Sequence, residues 1–154
     1  MEPVIRPSWG MGALRLGMSY DEVRRVVGEP DHTEEDDQGG TLRVGWDYDR
    51  FEFSLYFDED AGGLLTLIIS ESARTQLAGA FPIGMRADAC KRALQEVGTL
   101  ERDDEVSEPG LEFYSLAEAG VGLLFAEGVC ESIDIAAFTD ERGEYVWPEA
   151  DANG

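Results

Sequence analysis

Positive charge is scarce in this chain. Its 12 lysines and arginines stand against 33 aspartates and glutamates, a formal net charge of −21. That excess repels nucleic-acid phosphates and anionic lipid surfaces, so neither is expected as a partner, and a basic protein is the natural electrostatic complement. Cysteine is scarcer still: Cys90 and Cys130 are too few for a disulfide framework and lack metal-ligand spacing. A single histidine, His32 in "GEPDHTEEDD", leaves no Ser-His-Asp set to assemble and reads as a solvated turn residue. Long apolar runs are missing as well. The longest, "LLTLII" at residues 64–69, is far too short to cross a bilayer, and the first residues lack the basic-then-apolar pattern of a secretory signal. A soluble, cytoplasmic protein is expected.

Motifs for cofactors and metals are equally thin. With 33 acids, close carboxylate pairs arise by accident and do not in themselves point to glycoside hydrolysis. "DEDAGG" at residues 58–63 has the look of a calcium loop, but its twelfth position is Ile69 where a bidentate glutamate is needed, so a hairpin turn is expected. "GMGALRLG" at residues 10–17 follows no strand and has neither G-x-G-x-x-G spacing nor a lysine, which argues against a phosphate cradle. No metal, no cofactor and no enzymatic activity are expected.

What the sequence does contain is a repeat. "GALRLGMSYDEVRRVV" at residues 12–27 matches "GAFPIGMRADACKRAL" at residues 79–94 in six of sixteen positions, at a spacing of 67 residues from Gly12 to Gly79. Average residue usage would give roughly one identity by chance, so an internal duplication is expected. In the first copy Ser19 and Glu22 form an S-x-x-E capping box, Met18 can staple onto Val23, and Tyr20, Val23, Val26 and Val27 make one apolar stripe ended by Gly28 and Pro30. The second copy has Arg86 in place of the cap serine. It puts Cys90 where Val23 stands, as a small buried hydrophobe beside Ala93, Leu94 and Val97.

After each helix the apolar period changes from 3.6 to 2. "TLRVGWDYD" sets Leu42, Val44, Trp46 and Tyr48 against Arg43, Gly45 and Asp47, and "RFEFSLYFDED" sets Phe51, Phe53, Leu55 and Phe57 against Glu52, Ser54 and Tyr56. Residues 64–70 form a third strand, and a shorter one is expected at about residues 31–35, before the "DDQGG" turn. In the second copy strands are expected at residues 99–103, in "LEFYSL" with Leu111 and Phe113 inward, in "VGLLFA", and in "CESIDIAAF" with Ile133 and Ile135 on one face. The acidic hairpin recurs too, Asp36 and Asp37 standing 67 residues before Asp103 and Asp104.

The expected fold is α+β: one compact domain of two tandem units, residues 12–71 and 79–138, each a helix followed by three or four strands, with a tail at residues 139–154. Joined, the units make one antiparallel sheet of about eight strands with both helices on one face, since a four-stranded sheet alone would leave its edges open. The opposite face then carries Arg43, Asp47, Glu52, Ser54, Tyr56, Thr66, Glu112, Tyr114 and Leu124, a surface suited to docking a protein. Trp46 belongs to the core, while Trp9 and Trp147 are expected to pin the terminal segments onto the domain, with a polar, frayed tail after Pro148.

The "LGM", "DEV" and "VVGEP" elements of residues 16–30, followed by an antiparallel meander, resemble the helix-plus-sheet modules of the outer-membrane assembly lipoproteins. Two such modules in tandem resemble the beta-lactamase inhibitor protein architecture, and the resemblance, which covers the layout of residues 12–138, implies a curved sheet that grips a protein. The chain departs from both: it has no lipobox cysteine, no signal and no paired cysteines of the kind a secreted inhibitor carries. Those departures argue against both named functions and leave the architecture; the duplicated unit, the charge of −21 and the missing catalytic set lead instead to the expectation of a non-enzymatic binding module, an immunity or inhibitor protein that neutralises a basic toxin or enzyme through the sheet face and the acidic hairpins. Its rivals are a small enzyme with carboxylates such as Asp47 and Glu112 gathered where the units meet, and a scaffold duplicated for stability.

Overall fold

The structure is a computed structural model and describes residues 2–149. Three short strands, β1 (Val4–Arg6), β2 (Gly10–Met11) and β3 (Leu14–Arg15), lead into helix α1 (Tyr20–Val27), which is followed by β4 (His32–Gln38), β5 (Thr41–Tyr48), β6 (Phe53–Asp58) and β7 (Leu64–Ser70). A second passage begins with β8 (Gln76–Leu77) and helix α2 (Ala87–Ala93), continues through β9 (Glu101–Arg102), β10 (Leu111–Leu116), β11 (Val121–Ala126) and β12 (Val129–Ala136), and ends in the hairpin β13 (Phe138–Thr139) and β14 (Tyr145–Val146). No helix among the described residues is long and apolar enough to cross a membrane.

Helix α1 starts where the cap chemistry places it. The Ser19 hydroxyl accepts from the Glu22 amide at 3.2 Å and the Glu22 carboxylate accepts from the Ser19 amide at 3.1 Å, while Arg86, at the start of α2, makes no such bond. Val23 and Val27 are buried and Tyr20 packs on the core, but Val26 stands 37% exposed, off the expected stripe. Helix α2 stops at Ala93, so Val97 lies in the turn beyond it. The guanidinium of Arg50, from the β5–β6 turn, donates to the carbonyls of Val27 and Glu29 at 3.1 and 2.8 Å and to Asp31 at 2.8 Å. A cation is thereby set on the orphan carbonyls at the end of α1, which ties the helix to the sheet.

The main sheet is antiparallel throughout, in the order β4-β5-β6-β7-β12-β11-β10-β9. Its outermost hairpin turns at Gly39 and Gly40 with φ of 62° and 94°, a left-handed pair that two glycines adopt without strain. The strands that follow α1 and those that follow α2 meet at the centre, where β7 pairs with β12 through Ile69 opposite Asp134 and Ile68 opposite Ile135. Both helices cover one face: Tyr20 of α1 stands 5.1 Å from Trp46 and 4.5 Å from Phe57, and Lys91 of α2 lies over the Tyr114 ring. Trp46, Tyr48, Phe53, Leu55, Phe57, Leu123, Phe125, Ile133 and Ile135 line this inner face and are nearly solvent-free, each such side chain contributing about 1.5–3 kcal/mol on burial.

Three further parts of the chain depart from expectation. The N-terminal residues form a second small sheet, β3-β2-β1-β8, in which β1 runs parallel to β8, and it adds Ile5, Met11, Leu14, Leu16 and Leu77 to the core. The strand expected over residues 99–103 shortens to two residues, and the one expected at about residues 31–35 runs instead from His32 to Gln38. The tryptophans do hold the ends together: Trp9 donates to the carbonyl of Glu149 at 3.0 Å, and the Trp147 ring packs against Gly17. Of the tail expected to fray, residues 150–154 lie outside the described residues.

Candidate functional site

Residues directly opposite in an antiparallel ladder share a face, so the register sorts the sheet. One row of the outer face runs His32, Asp47, Ser54, Ile69, Asp134, Gly122, Ser115 across seven strands. Beside it run Glu34, Gly45, Tyr56, Leu67 and Ala136, then Asp36, Arg43, Asp58 and Leu64. On the other side of the first row lie Ser132, Leu124 and Phe113. The outer face is thus graded: polar and acidic over β4 to β6, and apolar from β7 to β10 through half-buried Leu67, Ile69, Leu124 and Phe113.

On the acidic side the polar groups satisfy one another. Ser54 donates to Asp47 at 2.6 Å, and the Arg43 guanidinium lies 5.4 Å from the centre of the Tyr56 ring. Burial, with Glu34 and Asp47 close by, pushes the Tyr56 hydroxyl above the usual phenol range. Buried Asp58 accepts from the Tyr145 hydroxyl at 2.9 Å, which fastens the C-terminal hairpin over the end of β6 beside a cavity of about 570 Å³ lined by Thr41, Asp60 and Trp147.

Asp134 is different. It stands near the centre of the sheet between Ile69 and Gly122, and it accepts a hydrogen bond from the Gly122 backbone. No ion pair neutralises it among the described residues. Burial pushes its carboxyl above the usual carboxylate range, offset in part by the Gly122 N–H. A carboxylate without a cation in partly apolar surroundings is costly to the folded chain and well suited to receive a positive group from outside.

Of the residues expected to bind a partner, Arg43, Asp47, Ser54, Tyr56 and Leu124 do lie on the outer face. Glu112 and Tyr114 do not, which corrects the expected phase of β10. They pair with Phe125 and Leu123 of the core and so face the helices: Tyr114 meets Phe125 edge-on at 5.1 Å, and Arg102 donates to Glu112 at 2.7 Å. Leu111 and Phe113, expected inward, face out. Glu52 is in the β5–β6 turn with φ of 59°, not on a strand face, and Thr66 is the buried extra residue of a bulge, donating to the Tyr56 carbonyl.

The acidic pairs occupy opposite margins. Asp36 and Asp37 fall within edge strand β4, Asp36 on the outer face and Asp37 on the inner, where Asp37 accepts from the Gly40 amide. Asp103 and Asp104 follow edge strand β9, with Asp104 bound by Arg102. Seven strand spacings separate the two edges, about 34 Å, so the pairs flank the sheet and form no single cluster. Asp47 and Glu112 stand on opposite faces, five strands apart, and do not converge. Among the described residues no group of three His, Cys, Asp or Glu side chains is placed to hold a metal ion.

Reading the sequence for site residues missed Asp134, Ile69, Leu67 and Phe113. A signal for Asp134 was present, since an acid between Ile133 and Ile135 on an alternating strand must point away from the core. Set against family models, curated proteins and solved structures, the chain matches none of them.

Proposed function

We propose that this protein is a non-enzymatic binding module that neutralises a basic protein, in the manner of an immunity protein or enzyme inhibitor, through the outer face of its eight-stranded sheet. The observation that carries this reading is the composition of that face: half-buried Leu67, Ile69, Leu124 and Phe113 around Asp134, whose carboxylate has no ion-pair partner among the described residues, beside the acidic rows of β4 and β5. Apolar anchors ringed by charge suit a protein interface, and a net charge of −21 favours a basic partner. In this reading the two helix-and-strand passages descend from one duplicated unit, supported by the repeated residues 12–27 and 79–94 and by four strands following each helix.

Capture from a lysate of the native host, with the bound protein identified by mass spectrometry, tests the proposal. The expected partner is basic, its affinity falls as salt rises, and it is lost by the Ile69→Lys, Leu124→Lys double variant when that variant melts like the parent. A partner held equally by parent and variant, or bound with no dependence on ionic strength, overturns it.

A further inference from the structure

The two cysteines, 40 residues apart in the chain, are brought together in the core. Residues 84–86 lie alongside the start of β12: the Cys130 amide donates to the Met85 carbonyl and the Gly84 amide to the Cys130 carbonyl, each at 2.9 Å, and Arg86 pairs with Val129. One helical turn further on, the Cys90 amide donates to the Arg86 carbonyl at 3.0 Å, which turns the Cys90 side chain inward from α2. Cys90 is 0% exposed and Cys130 2%, and the pairing of residues 84–86 with β12 makes the two buried side chains neighbours in the core. Each thiol is hydrogen-bonded to a backbone carbonyl, Cys90 to that of Pro82 and Cys130 to that of Ser132. A single buried cysteine is an ordinary small hydrophobe, but two that neighbour each other across a helix and a strand are a candidate pair for a covalent bond.

We infer that Cys90 and Cys130 are a disulfide-forming pair that locks α2 onto β12 when the protein meets a disulfide oxidant. Cys130 lines a surface cavity of about 430 Å³ with Gly84, Leu124 and Ser132, and this is the side from which an oxidant reaches the pair. The exchange is balanced. The Cys130 thiol loses its proton and the thiolate attacks one sulfur of the oxidant, breaking its S–S bond, releasing one oxidant thiol and leaving a mixed disulfide. Cys90, deprotonated in turn, attacks the Cys130 sulfur and expels the second oxidant thiol. Two protein thiols are oxidised to one disulfide, and the oxidant disulfide is reduced to two thiols. The neighbouring Cys90 thiol, and then burial, hold the Cys130 thiol protonated, so the exchange is slow and quickens as pH rises. The closed loop contains β9, β10 and β11, so the bond restrains three of the eight strands of the main sheet.

The inference is independent of the partner proposed above and is tested on the whole chain, which has no other cysteine. The folded protein is incubated with glutathione disulfide, then denatured, alkylated and weighed. The expected product is a monomer lighter by about 2 Da that takes up no alkylating reagent, is regenerated by dithiothreitol, and melts about 10 °C higher than the reduced chain. The Cys90→Ala and Cys130→Ala variants are expected to lose the mass change and the shift in melting. Two thiols that still alkylate after prolonged exposure, or oxidation that yields only glutathione adducts or linked dimers, overturns the inference. If either variant fails to fold, the mass of the parent chain alone decides it.

Discussion

The Asp134 carboxylate lies directly over Gly122: a β-carbon added to that glycine would stand 2.7 Å from both carboxylate oxygens. The two residues are neighbours across the β12–β11 ladder on the outer face, and the glycine is needed there for room, since an acid fills the space a side chain would take. Gly122→Ala is therefore expected to push the Asp134 side chain aside and to destabilise the fold by about 1 kcal/mol or less in a urea titration, since the atoms the methyl group meets are the movable end of that side chain. In an Asp134→Ala background the same change is expected to cost little. Equal penalties in both backgrounds would mean that something other than the carboxylate excludes the methyl group.

Asp134 also sets a pH dependence. Its carboxyl is held above the usual range, so folding favours the protonated form, and this contribution to stability is complete below the unfolded pKa and lost as pH rises through the folded one. Asp134→Asn removes the charge and is expected to raise Tm by about 3 °C at pH 7, with the difference closing at acidic pH. A variant less stable than the parent at pH 7 would mean that the charge is already compensated. The same variant should bind the partner more weakly, so stability and binding move in opposite directions at this residue.

The helix caps differ in a way that can be measured. Ser19→Ala removes the hydroxyl arm of the capping box on α1, leaving the Glu22 carboxylate on the backbone amide, and is expected to cost about 1 kcal/mol. Arg86→Ala, at the uncapped start of α2, removes no side-chain cap bond, and its effect on helix stability is expected to be a small fraction of that. Thermal unfolding of the two variants side by side checks the contrast, and equal losses would contradict it.

Tyr48, fully buried on the inner face, donates its hydroxyl to the Gly28 carbonyl at 2.8 Å, so the end of α1 is tied to β5. Burial pushes its hydroxyl up to about 12. Tyr48→Phe keeps the ring and leaves the carbonyl without this donor, and it is expected to destabilise by about 1–2 kcal/mol. A change within error of zero would show that water or Arg50 replaces the bond.

Much of this architecture is legible in the residues themselves, and the failures have physical causes. Ser19, Glu22 and Gly28 bracket α1 because cap bonds are local, and the alternation in β5 and β6 leaves one phase greasy and the other polar. "LEFYSL" offers apolar side chains in both phases, Leu111 and Phe113 in one, Tyr114 and Leu116 in the other, and a slip of one residue turns every side chain to the other face. Contacts remote in sequence favour the second phase: Phe125 and Lys91 receive the Tyr114 ring, and Arg102 neutralises Glu112. The strands of residues 4–15 are too short to carry any alternation. That Asp134 points outward could be read from its isoleucine neighbours, but that no cation among the described residues meets it is a property of the assembled sheet.

The central claim is that the outer sheet face, and not the helical side, holds the partner. Leu124 and Val26 are accessible residues on the two sides of the molecule, Leu124 half-buried on β11 and Val26 37% exposed on α1. The affinity of the captured basic protein for Leu124→Lys and for Val26→Lys, each matched to the parent in Tm, is the most direct measurement. Leu124→Lys is expected to weaken binding by about tenfold or more, roughly 1.4 kcal/mol, and Val26→Lys to leave it unchanged. Loss of binding in Val26→Lys with full binding in Leu124→Lys would contradict the claim.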